Sequence, residues 1–232
     1  MELNIGNSIF PGMNDKKGLM VCGYEWGFSE ADQKLFESGE DVFFDKNAIT
    51  TFSNKSPAHG KRALTWRYDK RIVKWFELWN HPLSREGLGG DFEKLILQTN
   101  WCNTQGYKIQ ESYYKKLINQ NQIKNFISHI EYFQPSLILF MGSEIINILQ
   151  DPLVKDQFEK ILGCSEKPPI KIQKPFSGRQ FKIGFQEFEN CQVVSLPHPS
   201  SSRGLKDEYI QKFEPEIGVF ITELKRKKGI NS

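Results

Sequence analysis

The sequence has no closely spaced cysteine pair. Its cysteines are Cys22, Cys102, Cys164 and Cys191, which form no CxxC motif and no cluster with histidine. Structural zinc sites need such pairs, so we expect no structural zinc. Scattered single cysteines are typical of a reducing compartment, which predicts free thiols and a cytoplasmic location.

Long apolar runs are also missing. No stretch approaches the ~20 apolar residues that a membrane-spanning helix needs. The first residues, Met1 to Asn4, lack the basic region and apolar stretch that begin a signal peptide. We therefore expect a cytoplasmic monomer with no membrane partner.

A strong charge excess is absent as well, since the net charge is +3 and the isoelectric point is about 8.5. This mild basicity permits contact with nucleic acid but does not demand it. The 232 residues are 38% hydrophobic and include 18 phenylalanines. That is enough apolar material for one large core, which argues against a disordered chain.

Short apolar runs alternate with segments of helical spacing. The predicted strands are 19–22, 94–98, 137–141 and 192–196, and the predicted helices between and around them include 68–79, 123–133 and 143–149. This alternation predicts a single three-layer α/β domain over residues 1–232, with a central, mostly parallel sheet covered by helices on both faces.

Two regions depart from this pattern. Residues 170–173 and 181–185 alternate in polarity around Ser177-Gly178, which predicts a small antiparallel hairpin as an excursion from the sheet. Ser29 is a candidate N-cap for a short helix. Residues 39–67 show no clear period, and loops of this length in compact domains are often functional.

Polar residues follow the predicted strands, where open α/β sheets place their sites. Together they offer a carboxylate, an amide, a histidine, hydroxyls and an arginine. They belong to four segments: Gly23–Gly27, Thr99–Trp101, Gly142-Ser143 and His198–Arg203. If the strands are parallel neighbours, these groups converge on one cleft.

These segments resemble, in order, the motifs of the uracil-DNA glycosylase superfamily. Gly23–Gly27 is similar to the first motif, although Trp26 stands where proline is usual. His198-Pro199-Ser200 matches the last motif letter for letter, and Asn100 resembles an asparagine that several families carry at a strand end. The resemblance spans residues 19–205, and its weight comes from the ordered set.

The resemblance implies a hydrolase that acts on DNA. Such an enzyme cleaves the N-glycosidic bond of uracil, or of a related deaminated base, and leaves an abasic site without a metal or cofactor. A catalytically silent nucleic-acid or nucleotide-binding module of the same fold is the alternative, which Trp26 and Ser202 motivate. A hydrolase of free nucleosides or nucleotides is a third reading.

The resemblance also implies roles for three residues. Glu25 would position the attacking water, and His198 would stabilise the charge that develops on the leaving base. Asn100 would read the base, since a carboxamide offers both a donor and an acceptor. Each has a plainer interpretation: a solvated loop glutamate, a histidine that only packs, and an asparagine that caps a turn.

Further residues are assigned to the base and to DNA. Phe52 and Tyr24 are predicted to contact the base, with Phe44 as the other candidate for stacking on it. Ser200, Ser201, Ser202 and Arg203 are predicted to contact DNA. Ser202 falls where the family inserts a side chain into the duplex, and serine is a poor wedge for that purpose.

A basic group of residues could follow a phosphate backbone, although a solvated charged face is the commoner explanation. The group comprises Lys55, Lys61, Arg62, Arg67, Lys70 and Arg71. One branch of the superfamily binds an iron–sulfur cluster through four cysteines. The wide cysteine spacing here does not favour such a cluster.

Overall fold

A computed structural model of the chain describes residues 3–27, Ser38, 44–106 and 113–230. The helix predicted after Ser29 lies outside the described residues. The strands are β1 (Leu19–Gly23), β2 (Trp26–Gly27), β3 (Ile96–Asn100), β4 (Gln105–Gly106), β5 (Leu137–Met141), β6 (Ile170–Ile172), β7 (Ile183–Phe188) and β8 (Cys191–Leu196).

The described helices run between and after these strands. They are α1 (Ser56–His59), α2 (Arg67–Leu78), α3 (Asp91–Lys94), α4 (Tyr113–Leu117), α5 (Gln120–Phe133), α6 (Ile145–Ile148), α7 (Pro152–Leu162), α8 (Asp207–Gln211) and α9 (Glu214–Lys227). A 3₁₀ turn covers Lys61–Thr65. No helix in the described part of the chain is long and apolar enough to cross a membrane.

The central sheet has six strands in the order β3-β1-β5-β8-β7-β6. The first four strands in that order are mutually parallel. The predicted α/β class with a mostly parallel sheet is therefore confirmed. Both β1 and β5 are buried along their whole length, because helices cover both faces of a parallel sheet. Four strands consequently end at the same edge.

The predicted hairpin exists, but it is not an excursion from the sheet. Strands β6 and β7 pair antiparallel, and β7 also pairs antiparallel with β8. Only Glu189 and Asn190 separate β7 from β8, and so short a connection forces the two strands to be antiparallel neighbours. The hairpin therefore extends the central sheet by two strands.

The predicted strand at 94–98 is placed two residues too early. Lys94 belongs to α3, and the strand runs from Ile96 to Asn100. Helix α3 begins after Gly90, whose backbone N–H donates to Glu93 Oε2 at 2.8 Å. This shift makes Asn100 the last residue of β3 and pairs it with Gly23.

Side chains of the sheet alternate between two cores. In β1, Leu19 and Val21 pack in the core with α2, α8 and α9, whereas Met20 and Cys22 pack with α5 and α7. Helix α7 was not predicted, although its sequence carries a start signal. Asp151 accepts from the Leu153 N–H at 3.0 Å, and Pro152 follows at the first helical position.

Burial of β5 should make its side chains costly to truncate. Ile138 has no exposed surface, whereas Val219 on α9 is 62% exposed. We expect Ile138→Ala to lower the free energy of unfolding by about 2–5 kcal/mol, because it leaves a cavity. Val219→Ala should change it by less than ~0.5 kcal/mol. Urea denaturation of the two variants measures this, and equal losses would contradict a central position for β5.

Candidate functional site

The carboxyl ends of the parallel strands open onto a cleft of about 1490 Å³. Asn100 from β3, Glu25 from the loop after β1 and His198 from the loop after β8 all lie on its wall. The three residues predicted to recognise the base and catalyse the reaction are therefore brought together. They converge because their strands are parallel and end at one edge.

Gly23 makes room for the Asn100 side chain. A Cβ at Gly23 would lie 2.4 Å from Asn100 Oδ1 and 3.0 Å from the Tyr68 hydroxyl oxygen. Asn100 is 4% exposed, and its backbone carbonyl accepts from Asn125 Nδ2 at 3.3 Å. No side chain or backbone group of the described residues hydrogen bonds to its carboxamide. The amide thus keeps both a donor and an acceptor for a ligand.

The ring of His198 is held in one tautomer. Its Nδ1 accepts from the backbone N–H groups of Ser200 at 3.3 Å and Ser201 at 3.2 Å. A neutral ring with an accepting Nδ1 carries its proton on Nε2. Burial lowers the pKa of His198 to about 4, so the ring is neutral at physiological pH. It lies between the rings of Tyr24, 6.2 Å away, and Tyr68, 5.4 Å away.

Arg71 holds the loop that carries His198. Its guanidinium donates to the carbonyl oxygens of Pro199, at 2.7 Å, and of Leu205. It also pairs with Asp207 at 2.7 Å. Burial alone would raise the pKa of Asp207, but the hydrogen bond and the charge of Arg71 lower this pKa below its usual value. Arg71 was grouped with the residues that could follow a phosphate backbone, but its donors are engaged within the protein.

Glu25 is anchored rather than free. Its carboxylate accepts from Thr104 Oγ1 at 2.8 Å, from the Tyr113 hydroxyl and from Lys116 Nζ. Burial alone would raise the pKa of Glu25, but the hydrogen bonds from Lys116, Tyr113 and Thr104 lower it below its usual value. The carboxylate is therefore ionised and bound by three donors. Its predicted role in positioning water stays a prediction.

The aromatic residues predicted to contact the base differ in their burial. Phe52 is 1% exposed, belongs to the hydrophobic core and does not line the cleft, and Lys55 Nζ lies 5.2 Å from its ring centroid. Phe44, the other candidate, is 60% exposed and lines the cleft. Tyr24 also lines the cleft, and burial raises the pKa of its hydroxyl to about 12.

The residues predicted to contact DNA differ in their position relative to the cleft. Ser200 and Ser201 lie on the cleft wall, whereas Ser202 and Arg203 do not. The Ser202 N–H donates to the His198 carbonyl at 3.2 Å, so this residue continues the turn. Arg203 is exposed, and its carbonyl accepts from Arg179 Nη1 at 3.0 Å.

A buried polar cluster on the same cleft was not predicted. Lys55 Nζ donates to Asp69 Oδ2 at 2.5 Å and also to Gln98, and Gln98 Nε2 donates to Asp69 Oδ1 at 3.4 Å. Gln98 lies two residues before Asn100 and so on the same face of β3, about 7 Å deeper. The spacing of two residues from Asn100 was therefore a sequence signal for Gln98. No sequence signal connects it with Lys55 or Asp69.

A scan against protein-family models and a search of curated proteins find no match to this chain. Within the described ranges, no group of three or more His, Cys, Asp or Glu residues could hold a metal ion. Cys22, Cys102 and Cys191 are buried and Cys164 is exposed, all as free thiols. Function therefore has to be inferred from the residues of the cleft.

The lowered pKa of His198 makes stability depend on pH. The folded ring resists protonation until about pH 4, whereas in the unfolded chain its pKa is 6.5. The unfolded state therefore binds more protons between these values, and stability falls as pH falls. Between pH 7 and pH 5, the free energy of unfolding of the wild type should fall by about 2 kcal/mol more than that of His198→Gln. Denaturant titrations of both proteins at the two pH values measure the difference. An equal change in the free energy of unfolding of the wild type and of His198→Gln would contradict it.

Proposed function

We propose that this protein is a DNA glycosylase that hydrolyses the N-glycosidic bond of uracil or of a related deaminated base. One observation carries the proposal. The Asn100 carboxamide, with no hydrogen-bond partner among the described residues, and the neutral ring of His198 lie on the wall of one cleft. The resemblance of the ordered strand-end loops to the uracil-DNA glycosylase superfamily supports it.

Asn100 suits the edge of uracil. That edge presents a ring N–H flanked by carbonyl oxygens, and a flipped base is read along it. The Asn100 Oδ1 accepts from the N–H, and its Nδ2 donates to a carbonyl. The 4% exposure of Asn100 means that a bound base is largely desolvated there, which strengthens both hydrogen bonds.

His198 suits the leaving group. When the bond between the sugar and the base breaks, its electron pair moves into the base and charge gathers on a carbonyl oxygen. A preorganised N–H aimed at that oxygen lowers the barrier. His198 Nε2 supplies this N–H, because its Nδ1 is occupied by the backbone of Ser200 and Ser201. Water adds to the sugar, which leaves an abasic site and the free base.

The size of the cleft favours a polymer over a free nucleoside. Its volume of about 1490 Å³ exceeds the ~300–1,000 Å³ of pockets that enclose a small ligand. Lys46, Arg62 and Arg67 lie on the same wall and suit the phosphates that connect neighbouring nucleotides. A hydrolase of free nucleosides would not need this extent of surface.

The direct test uses oligonucleotides with one uracil, single- and double-stranded, followed by alkaline cleavage of abasic sites. We expect wild-type cleavage and a loss of about 10²–10³ in kcat for His198→Ala, because a transition-state donor is removed. Asn100→Asp should also lose activity, since a carboxylate cannot donate to the carbonyl.

Asn190→Asp is the matched control, because Asn190 is an exposed turn residue outside the cleft. It should retain wild-type activity. Failure of the wild type to cleave uracil, hypoxanthine or xanthine in either strand form would reject the proposal. Cleavage that survives His198→Ala unchanged would reject the assigned mechanism.

A second candidate is a binding module of the same fold without catalysis. The engagement of the Glu25 carboxylate by Thr104, Tyr113 and Lys116 favours it, because those donors occupy the group expected to position water. This candidate predicts binding of nucleic acid that His198→Ala barely changes, together with no turnover.

Glu25→Gln distinguishes an anchor from a water-positioning group. We expect it to destabilise the protein by about 1–2 kcal/mol, because the partly buried partners lose a charged acceptor, and to lower kcat by less than about tenfold. Lys116→Met, which removes the other half of the ion pair, should destabilise similarly. A loss above about 100-fold in kcat at unchanged stability would instead assign Glu25 to the attacking water.

A further inference from the structure

Three aromatic rings contact one another in sequence on the cleft wall, with interplanar angles of 37° between Phe44 and His59 and 62° between His59 and Trp66. The ring centroids of Phe44 and His59 lie 4.9 Å apart, and those of His59 and Trp66 also lie 4.9 Å apart. All three residues line the same cleft as Asn100 and His198. Phe44 is 60% exposed, so much of this residue is accessible to a ligand. We call these three residues the ring row.

The row is uncharged but lies among cations. Burial lowers the pKa of His59, and the nearby charges of Lys55 and Arg62 lower it further, so its imidazole is neutral. Lys46 and Arg67 also lie on the cleft wall. The carboxylate of Asp69 is engaged by the buried ammonium of Lys55. Flat neutral rings beside cations are the features that bind stacked bases and their phosphates.

The loop after His198 has no side chain suited to opening a duplex. Ser200, Ser201 and Ser202 are small and polar, and Arg203 lies off the cleft wall. The apolar residues of this loop are not available either, since Pro199 is buried and Leu205 is 7% exposed and packs in the core. A wedge that inserts between base pairs is normally apolar. The loop is therefore not built to extrude a base from a paired stack.

We propose that the ring row is a binding platform for an unpaired nucleobase next to the target base, so that the protein takes single-stranded nucleic acid. The inference rests on the proposed function in one respect only, which is that the target base enters the pocket of Asn100 and His198. A neighbouring base stacks on Phe44, and the adjoining phosphates lie near Lys46 and Arg67. Stacking holds the strand without selecting its sequence, because every base has a flat face.

An unpaired strand is the occupant that both features favour. A duplex keeps its bases paired and stacked inside, and flipping the first base out has a free-energy cost that a wedge normally offsets. A single strand has no base pairs to break, so this cost is smaller, and its unpaired bases can stack on flat partners. The ring row supplies these partners, and the loop after His198 lacks the wedge.

The test measures binding of fluorescent oligothymidylate, which contains no uracil, by anisotropy. We expect Phe44→Ala to weaken binding about tenfold, because one stacked base is lost. Phe44→Tyr, which keeps the ring, should restore the wild-type affinity. Tyr132→Ala is the matched control, since Tyr132 is 49% exposed on α5 and does not line the cleft.

Salt dependence separates stacking from charge. Phe44→Ala should leave the slope of log affinity against log salt unchanged, whereas Arg67→Ala should reduce it by about 1. Unchanged oligothymidylate binding by Phe44→Ala, or equal affinity for single strands and for a matched duplex, would overturn the platform.

Uracil cleavage on the same variants separates the two proposals. Loss of oligothymidylate binding in Phe44→Ala, with no cleavage by the wild type, would keep the platform and reject the glycosylase. Cleavage that is equal on both strand forms and indifferent to Phe44→Ala would keep the glycosylase and reject the platform. We expect single-stranded uracil to be cleaved faster, with the preference reduced in Phe44→Ala.

Discussion

Parallel pairing of β1 with β3 is the constraint on which the cleft depends. It sets Gly23 beside Asn100, and only a residue without a Cβ leaves room there for the carboxamide. Any side chain at Gly23 would meet Asn100 Oδ1 at 2.4 Å. The position of the Asn100 carboxamide on the cleft wall therefore follows from a backbone register, which the flanking helices stabilise by burying both faces of the sheet.

The position of His198 depends on the contacts that Arg71 makes with its loop. Arg71 joins the carbonyls of Pro199 and Leu205 to Asp207, and the backbone of Ser200 and Ser201 then fixes His198. A neutral donor at that position needs both burial and an occupied Nδ1. The same burial that lowers the pKa of His198 supplies the low dielectric in which its N–H acts most strongly.

Charged and aromatic side chains lie side by side along the cleft, since Lys55 Nζ is 5.8 Å from the Trp66 ring centroid. Two carboxylates of the cleft wall are each paired with a lysine, Glu25 with Lys116 and Asp69 with Lys55. Buried ions require such pairing, because desolvation is costly. On the same wall, the ring row, Lys46 and Arg67 form the surface that we propose for a neighbouring part of a strand. Under the proposed function, the two regions together bind a substrate longer than one nucleoside.

The sequence by itself determined the four parallel strands and placed Asn100 and His198 at the ends of two of them. Apolar runs bounded by glycine and proline identified the parallel strands, and strand-end position identified Asn100 and His198, because parallel strands end at one edge. Only the tertiary structure decided the rest. Phe52 and Phe44 look alike in sequence, yet packing buries one and exposes the other. Glu25 finds its partners Thr104 and Lys116 from 79 and 91 residues away, a contact that no local pattern records.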